Sequence, residues 1–204
     1  KFTKKSKLEV IVRGSSNGID LTRFNHQYLV EEKITALKKS IQYTVEKIYL
    51  LFVGRMVADK GITELVNSFS TIQKNQPLLQ LLLLGPYENE LFPLPFTTIQ
   101  QIENNPTITH RNWADQLEYY MQLADYFIFP SHREGFPNVL LQAGAMHLPI
   151  VCSNIPGNID IVKQNETGFL FEKGNEEALT KAISTAINNP ANGKNMSANL
   201  FSII

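Results

Sequence analysis

The segment IYLLFVGRMVADKG at residues 48–61 joins a wholly apolar run to a loop with two cations and two glycines. Six consecutive apolar residues are typical of a parallel strand that is buried on both faces. After the loop, apolar residues recur every three or four positions from Ile62 to Ile72, which predicts an amphipathic helix over 62–74. A buried strand followed by such a helix is the opening of a parallel β-α-β unit.

The same alternation continues along the chain and defines the fold class. Apolar runs predict further strands at 78–84, 107–110, 125–130, 149–153 and 168–171. Helices are predicted at 29–41, 96–105, 115–124, 137–147 and 158–164. Asp115 is the predicted N-cap of the helix at 115–124, and Asn175 that of a last helix ending near 189. LEVIV at 8–12 is a candidate extra strand. The pattern predicts an α/β, Rossmann-like three-layer domain with about six parallel strands.

Composition excludes several classes of protein. The 204 residues are 43% hydrophobic, with 19 basic and 19 acidic side chains, which supports a packed core and argues against nucleic acid as a partner. Residues 1–60 nevertheless hold twelve basic and six acidic residues. The single cysteine, Cys152, excludes an internal disulfide, and the apolar runs are too short for a membrane helix. The chain begins at Lys1 without Met, so we expect a piece of a longer protein.

Parallel sheets bind ligands beyond the carboxyl ends of their strands, so functional residues are expected just after 53, 84, 110, 130 and 153. The chain has no G-x-x-x-x-G-K-[ST], no G-x-G-x-x-G and no Asp-x-Asp pair for a metal-bound diphosphate. Any phosphates would therefore be neutralised by side chains and helix N-termini. Gly54, Arg55 and Lys60 follow the first strand and suit that role; the alternative is two solvated charges.

A second candidate segment, PSHREGFPNVLLQAGAM at 130–146, follows the strand at 125–130. Pro137 suits the first turn of the next helix, whose positive end would face the crevice. The candidates there are Glu134, Gly135, Pro137, the backbone amides of Phe136, Asn138 and Val139, and Gln142. The alternative for Glu134 is a solvated carboxylate, and for Gln142 a surface amide.

Four stretches in this order resemble the carboxyl-terminal, donor-binding half of a family 4 (group 1) glycosyltransferase of the GT-B architecture. They are LFVGRMVADKG (51–61), ADYFIFPSHREGFPNVLLQAGAM (124–146), LPIVCSNIPGNIDIV (148–162) and NETGFLF (165–171). NGIDLTRF at 17–24 is similar to the segment that leads into this half. The resemblance implies a lead-in over 1–24, a nucleotide-sugar donor-binding domain over 25–190 and a truncated segment over 191–204.

The resemblance also implies roles for individual residues. Arg55 and Lys60 would grip the diphosphate of a nucleotide-sugar, and Glu134 would contact the donor sugar as the catalytic candidate. The backbone at 136–139 would meet the sugar and phosphates. Asn112 and Trp113 would flank the base, although a tryptophan at the entry to a helix more often serves as a packing anchor. The family is retaining and needs no metal or other cofactor.

One position departs from the family pattern. A glutamate eight residues after the first would hold the ribose hydroxyls, and here that position is Gln142. A neutral hydrogen bond is worth about 0.5–1.5 kcal/mol against about 1.5–3 for a charge-assisted one, so donor binding is predicted to be weakened or altered in its preference, and not abolished.

The implied protein is a cytoplasmic glycosyltransferase, either free or peripheral at the inner face of the membrane. It would pass a sugar to a saccharide or lipid-linked acceptor in the synthesis of cell-surface polysaccharide. Its acceptor-binding amino-terminal half is missing here, so the fragment is predicted to be inactive. Two alternatives stay open. One is a non-catalytic nucleotide- or partner-binding module, and the other is a GT-B nucleotide-sugar epimerase, a group that lacks the EGFPN stretch of 134–138.

Overall fold

The computed structural model describes residues 18–88, 90, 92–112 and 115–204. The strands are β1 Ile48–Val53, β2 Leu79–Leu84, β3 Ile108–Arg111, β4 Tyr126–Phe129, β5 Ile150–Ser153 and β6 Phe169–Phe171. The helices are α1 Glu31–Ser40, α2 Ile62–Gln73, α3 Phe96–Asn104, α4 Leu117–Leu123, α5 Asn138–Ala145, α6 Asn158–Ile161, α7 Glu176–Asn188 and α8 Pro190–Phe201.

The six strands form one parallel sheet in the order β3-β2-β1-β4-β5-β6. The chain runs outward from β1 to β3 on one side and from β4 to β6 on the other. Because parallel crossovers are right-handed, the helices of the two runs cover opposite faces of the sheet. The predicted α/β, Rossmann-like fold is confirmed, and its order reverses between β1 and β4, where such sheets bind ligands.

Apolar runs explain the central strands. Leu50, Leu51 and Phe52 of β1 are fully buried, as is Phe127 of β4, because helices cover both faces. The register pairs Val53 with Leu84, so β1 and β2 end at the same level. The loops that follow these strands therefore begin side by side.

Most predicted elements lie within two residues of the observed bounds, and the Asn175 cap is confirmed because its side chain accepts a hydrogen bond from the Ala178 amide. The predicted Asp115 cap is wrong: α4 begins at Leu117, with Gln116 at the N-cap and no side-chain cap bond. The Asp115 carbonyl instead accepts a hydrogen bond from Arg23, at 3.0 Å. The lead-in segment thus contacts the chain immediately before this helix, and the Asp115 carbonyl is bound from outside the helix.

In sequence, the two ends of the chain lie outside the alternating strands and helices of the sheet. The candidate strand at 8–12 falls outside the described residues. At the other end, α8 packs against α5 and buries Met196 and Leu200, although its sequence is largely polar. The proposed limits at 24 and 190 stay a prediction.

Candidate functional site

The loop after β1 and the loop after β4 are in direct contact. Gly61 has φ +69°, and a Cβ there would lie 2.3 Å from the carbonyl oxygen of Pro130. The His132 amide also donates to the Asp59 carbonyl at 2.8 Å. Only glycine satisfies both the left-handed backbone and the close approach. Residue 60 is thereby held against the segment that contains Glu134.

Lys60 and Glu134 form a largely buried ion pair. The Lys60 Nζ lies 2.5 Å from Glu134 Oε1, and each side chain is only 14% exposed. Ser131 Oγ donates to the same carboxylate oxygen at 2.6 Å. The structure therefore brings two predicted site residues together, and it adds a third group that the sequence did not indicate.

Arg55 is paired with a carboxylate as well. Its Nη1 lies 2.5 Å from Glu88 Oε2, on the loop that follows β2, and the two side chains are 48% and 30% exposed. The preceding Gly54 amide donates to the Leu84 carbonyl at 2.9 Å, which extends the β1–β2 pairing into the loop. Both cations thus lie at the carboxyl edge of the sheet, each neutralised by an acidic partner.

The loop that leads into α5 packs against the loop that follows β5. Gly157 has φ +87°, and a Cβ at this position would lie 2.3 Å from the Gly135 carbonyl, so the loops after β4 and β5 pack closely. Pro137 was predicted in the first turn but lies at the N-cap, where its carbonyl accepts from Leu140 at 3.0 Å. Helix α5 consequently begins at Asn138, followed by Val139.

The remaining predicted residues are placed less closely. Gln142 is half-buried on α5. Asn112 is exposed directly after β3. Trp113 lies outside the described residues, so both interpretations of it stay predictions. Within the described part of the chain, Gln142 and Asn112 form no hydrogen bond with the side chains of Lys60, Arg55 or Glu134.

An aromatic pair adjoins the Glu88 loop. The rings of Tyr87 and His110 lie 4.6 Å apart between centroids, and His110 Nε2 lies 2.8 Å from the Gly85 carbonyl oxygen. Burial, together with the charge of Glu103, raises the pKa of Tyr87. Tyr87 is therefore uncharged at neutral pH, and the pair places an aromatic surface directly before Glu88 in the chain.

Phe136 also lines an apolar cavity of about 430 Å³ next to the α5 N-terminus. The other walls come from Ile19 in the lead-in segment, Leu141 on α5 and Leu200 on α8. The two ends of the described chain therefore meet on the side of the domain that carries the EGFPN loop.

Three polar partners were not predicted from the sequence. These are Glu88 for Arg55, Ser131 for Glu134, and Glu64, whose Oε1 lies 2.8 Å from His132 Nε2. Glu88 and Ser131 both fall within four residues of a strand end, so the rule that function follows the strands would have included them. Their pairing depends on how the loops fold and has no signature in sequence spacing.

This edge of the sheet carries two cationic side chains, Arg55 and Lys60, each paired with a carboxylate. Arg55 offers a planar donor fork and Lys60 a compact charge, and both donor types bind phosphate oxygens as well as carboxylates in proteins. Within the described ranges, no cluster of three or more His, Cys, Asp or Glu side chains is arranged to hold a metal ion. No described helix has the length and apolar character needed to cross a bilayer.

The fold and these paired loops define a Rossmann-like domain with two ion pairs at the carboxyl edge of its sheet. Residues 33–201 match the family described as glycosyl transferases group 1, and the chain belongs to that family. The resemblance inferred from the four sequence motifs is therefore confirmed.

Individual relatives agree with this assignment. The chain is 33% identical over 209 residues to the capsular polysaccharide biosynthesis glycosyltransferase CapM of Staphylococcus aureus, covering 98% of this chain and 53% of that protein. Among solved structures, a glycosyltransferase from Rickettsia africae superposes with a TM-score of 0.79 at 21% identity, over 91% of this chain and 50% of that one. HepE from Anabaena, in complex with UDP-glucose, has a TM-score of 0.78 at 19% identity, with 92% and 50% covered.

The coverage is similar in all three comparisons. The chain spans about half the length of the relatives it matches. It corresponds to the carboxyl-terminal half of the GT-B architecture, as the motifs predicted.

Proposed function

We propose that this domain binds a nucleoside diphosphate sugar and is the donor-binding half of a retaining glycosyltransferase. The observation that carries the proposal is the pairing of Lys60 with Glu134, at 2.5 Å. Arg55 lies on the same loop as Lys60, and the loop that contains Glu134 leads into α5. A diphosphate would take the cations, while the carboxylate beside them would meet the sugar. The HepE complex supports this class of ligand, since that protein binds UDP-glucose.

In the proposed reaction, the bond between the anomeric carbon and the β-phosphate oxygen breaks. The oxygen of an acceptor hydroxyl forms the new bond to that carbon and gives its proton to the departing diphosphate. Negative charge develops on the departing diphosphate. Arg55, Lys60 and the positive end of the α5 dipole stabilise that charge. Glu134, held beside Lys60, orients the sugar.

The acceptor is proposed to be a saccharide or a lipid-linked sugar used in cell-surface polysaccharide, as the CapM name suggests. The acceptor would bind to a further half that the full-length relatives have and this chain does not span. We propose a cytoplasmic protein working free or at the inner face of the membrane. The 204-residue chain alone should bind nucleotide and transfer no sugar.

Calorimetric titration with UDP, GDP and ADP tests the proposal. We expect the chain to bind one of the three in preference to the others, with affinity that falls as salt rises because the contacts are ionic. Sugar transfer by this chain alone would contradict the proposal that the acceptor binds to a further half of the protein. Failure to bind any of the three nucleotides would replace the proposal with a non-catalytic partner-binding module.

A further inference from the structure

Ser131 is a fully buried serine that contacts the Glu134 carboxylate. Its side chain donates to Glu134 Oε1 at 2.6 Å, directly after β4. A hydrogen bond from a hydroxyl to a carboxylate is charge-assisted and stronger than a neutral one. Glu134 is therefore oriented by a group whose own position is fixed by packing.

Ser131 is in turn held by two buried side chains from the next strand and helix. Ser153 Oγ, at the end of β5, donates to the Ser131 carbonyl oxygen. Asn158 Nδ2, at the start of α6, donates to the Ser153 carbonyl at 3.0 Å and lies 3.1 Å from its Oγ. All three residues are completely buried. A polar chain from α6 through β5 thus ends at the hydroxyl that binds Glu134.

The contacts on Glu134 are unequal for its two oxygens. Lys60 Nζ and Ser131 Oγ both bind Oε1. Among the described residues, no hydrogen bond is made to Oε2. The two oxygens of a carboxylate are chemically equivalent, so in either orientation one oxygen holds both bonds and the other, here Oε2, is left to accept a hydrogen bond from a ligand.

We propose that Ser131 is a positioning residue that makes Glu134 selective for the sugar of the donor. It would act through the carboxylate and need not touch the donor itself. The inference rests on the proposed function and deepens it, because it assigns the distinction between a nucleotide sugar and a bare nucleotide to the Ser131–Glu134 bond. Lys60 alone would not maintain this distinction, since the incoming diphosphate competes for its ammonium group.

Ser131→Ala should therefore weaken binding of the nucleotide sugar and leave binding of the bare nucleotide nearly unchanged. We expect the Kd for the nucleotide sugar that the wild-type chain binds most tightly to rise about tenfold, the scale of one charge-assisted hydrogen bond, while the Kd for its parent nucleotide changes less than about twofold. Ser131→Cys keeps the size and a weak donor, so its effect should be intermediate. In a Glu134→Gln background, Ser131→Ala should add little, because the carboxylate it orients is already gone.

Ser68→Ala is the matched control. Ser68 is equally buried and donates to a backbone carbonyl, that of Glu176 at 3.1 Å, where α2 meets α7. The Ser68→Ala substitution should lower the melting temperature and leave the Kd values for both ligands unchanged. The wild-type chain is first titrated with UDP-glucose, UDP-galactose, UDP-N-acetylglucosamine and GDP-mannose, and the variants with the tightest of these and its parent nucleotide.

The outcomes separate the inference from the function on which it rests. If Ser131→Ala leaves the nucleotide-sugar Kd unchanged, or weakens sugar nucleotide and nucleotide equally, the positioning role is wrong and the donor site stands. If the wild-type chain binds neither class of ligand, the proposed function and this inference both fail.

Discussion

The guanidinium of Arg55 and the carboxylate of Glu88 lie 2.5 Å apart, on loops that follow neighbouring strands. Lys60 has its own carboxylate partner in Glu134. The two cations assigned to the diphosphate are therefore balanced by two anions before any ligand arrives. A diphosphate bound at the proposed site would have to displace or share these partners, and Glu88 is the more exposed of the two.

Glu88→Gln is expected to tighten nucleotide binding. Removing the competing charge leaves Arg55 available, and a partly exposed pair is worth about 0.2–1 kcal/mol, so the Kd should fall by up to about fivefold. Glu90→Gln, at an exposed position of the same loop, removes the same charge and is the control. Weaker binding by Glu88→Gln in calorimetry would mean that Glu88 orients Arg55 for the ligand.

Gln142→Glu tests the departure from the family pattern. If residue 142 accepts hydrogen bonds from the ribose hydroxyls, a carboxylate should bind them more strongly, and the Kd should fall by about fivefold. The gain should shrink with the 2′-deoxy nucleotide, which lacks one of those hydroxyls. A loss of affinity would show that Gln142 is adapted to this site.

Gly61→Ala should damage the contact between the two site loops. Gly61 and Gly174 have the same φ of +69°, but a Cβ on Gly174 would meet no atom within 4 Å, whereas one on Gly61 would lie 2.3 Å from the Pro130 carbonyl oxygen. The left-handed backbone costs each alanine about 1–2 kcal/mol. Gly61→Ala should therefore melt lower than Gly174→Ala and should also weaken nucleotide binding. Equal effects of the two substitutions would contradict the close-packed loop contact.

Two aspartates, Asp125 and Asp20, should make the stability of the fold depend on pH in opposite directions. Burial raises the pKa of Asp125 above its ordinary 3.8, even though the Tyr49 amide donates to it at 2.8 Å. Its contribution to stability is present below about pH 3.8 and is lost as pH rises through the raised pKa. Asp125→Asn should therefore melt higher than wild type at pH 7, with a difference that vanishes near pH 3.

Asp20 is the counterpart for that measurement. Hydrogen bonds from the Thr22 side chain, the Thr22 amide and the Arg23 amide lower its pKa. Its stabilisation is present above pH 3.8 and is lost as pH falls through the lowered pKa. Asp20→Asn should melt lower than wild type at pH 7 and match it in acid. Melting differences of the same sign for both variants would contradict this assignment.

The fold could be predicted from sequence because its signals are local. The apolar run of β1 predicted its observed bounds, and the periodicity of α2 was correct to within one residue. The Asp115 cap failed because Arg23, distant in sequence, binds the Asp115 carbonyl. Because functional residues of parallel sheets follow the carboxyl ends of strands, Arg55, Lys60 and Glu134 were expected at one edge of the sheet.

The pairing of those side chains could not be predicted. Arg55 and Glu88 are 33 residues apart, and Lys60 and Glu134 are 74 apart. Their contacts depend on the parallel register of β1, β2 and β4 and on the close approach at Gly61. Such relationships are set by tertiary packing and leave no periodic pattern in the chain.

Nucleotide affinity of the Arg55→Gln/Lys60→Gln double variant tests the anion site most directly. Lys39→Gln/Lys74→Gln removes the same charge from exposed positions and corrects for long-range electrostatics. If Arg55 and Lys60 hold the diphosphate, calorimetry should show the site variant weakened by at least about tenfold and the control within about twofold of wild type. Equal affinities for the two double variants would contradict a diphosphate site at Arg55 and Lys60.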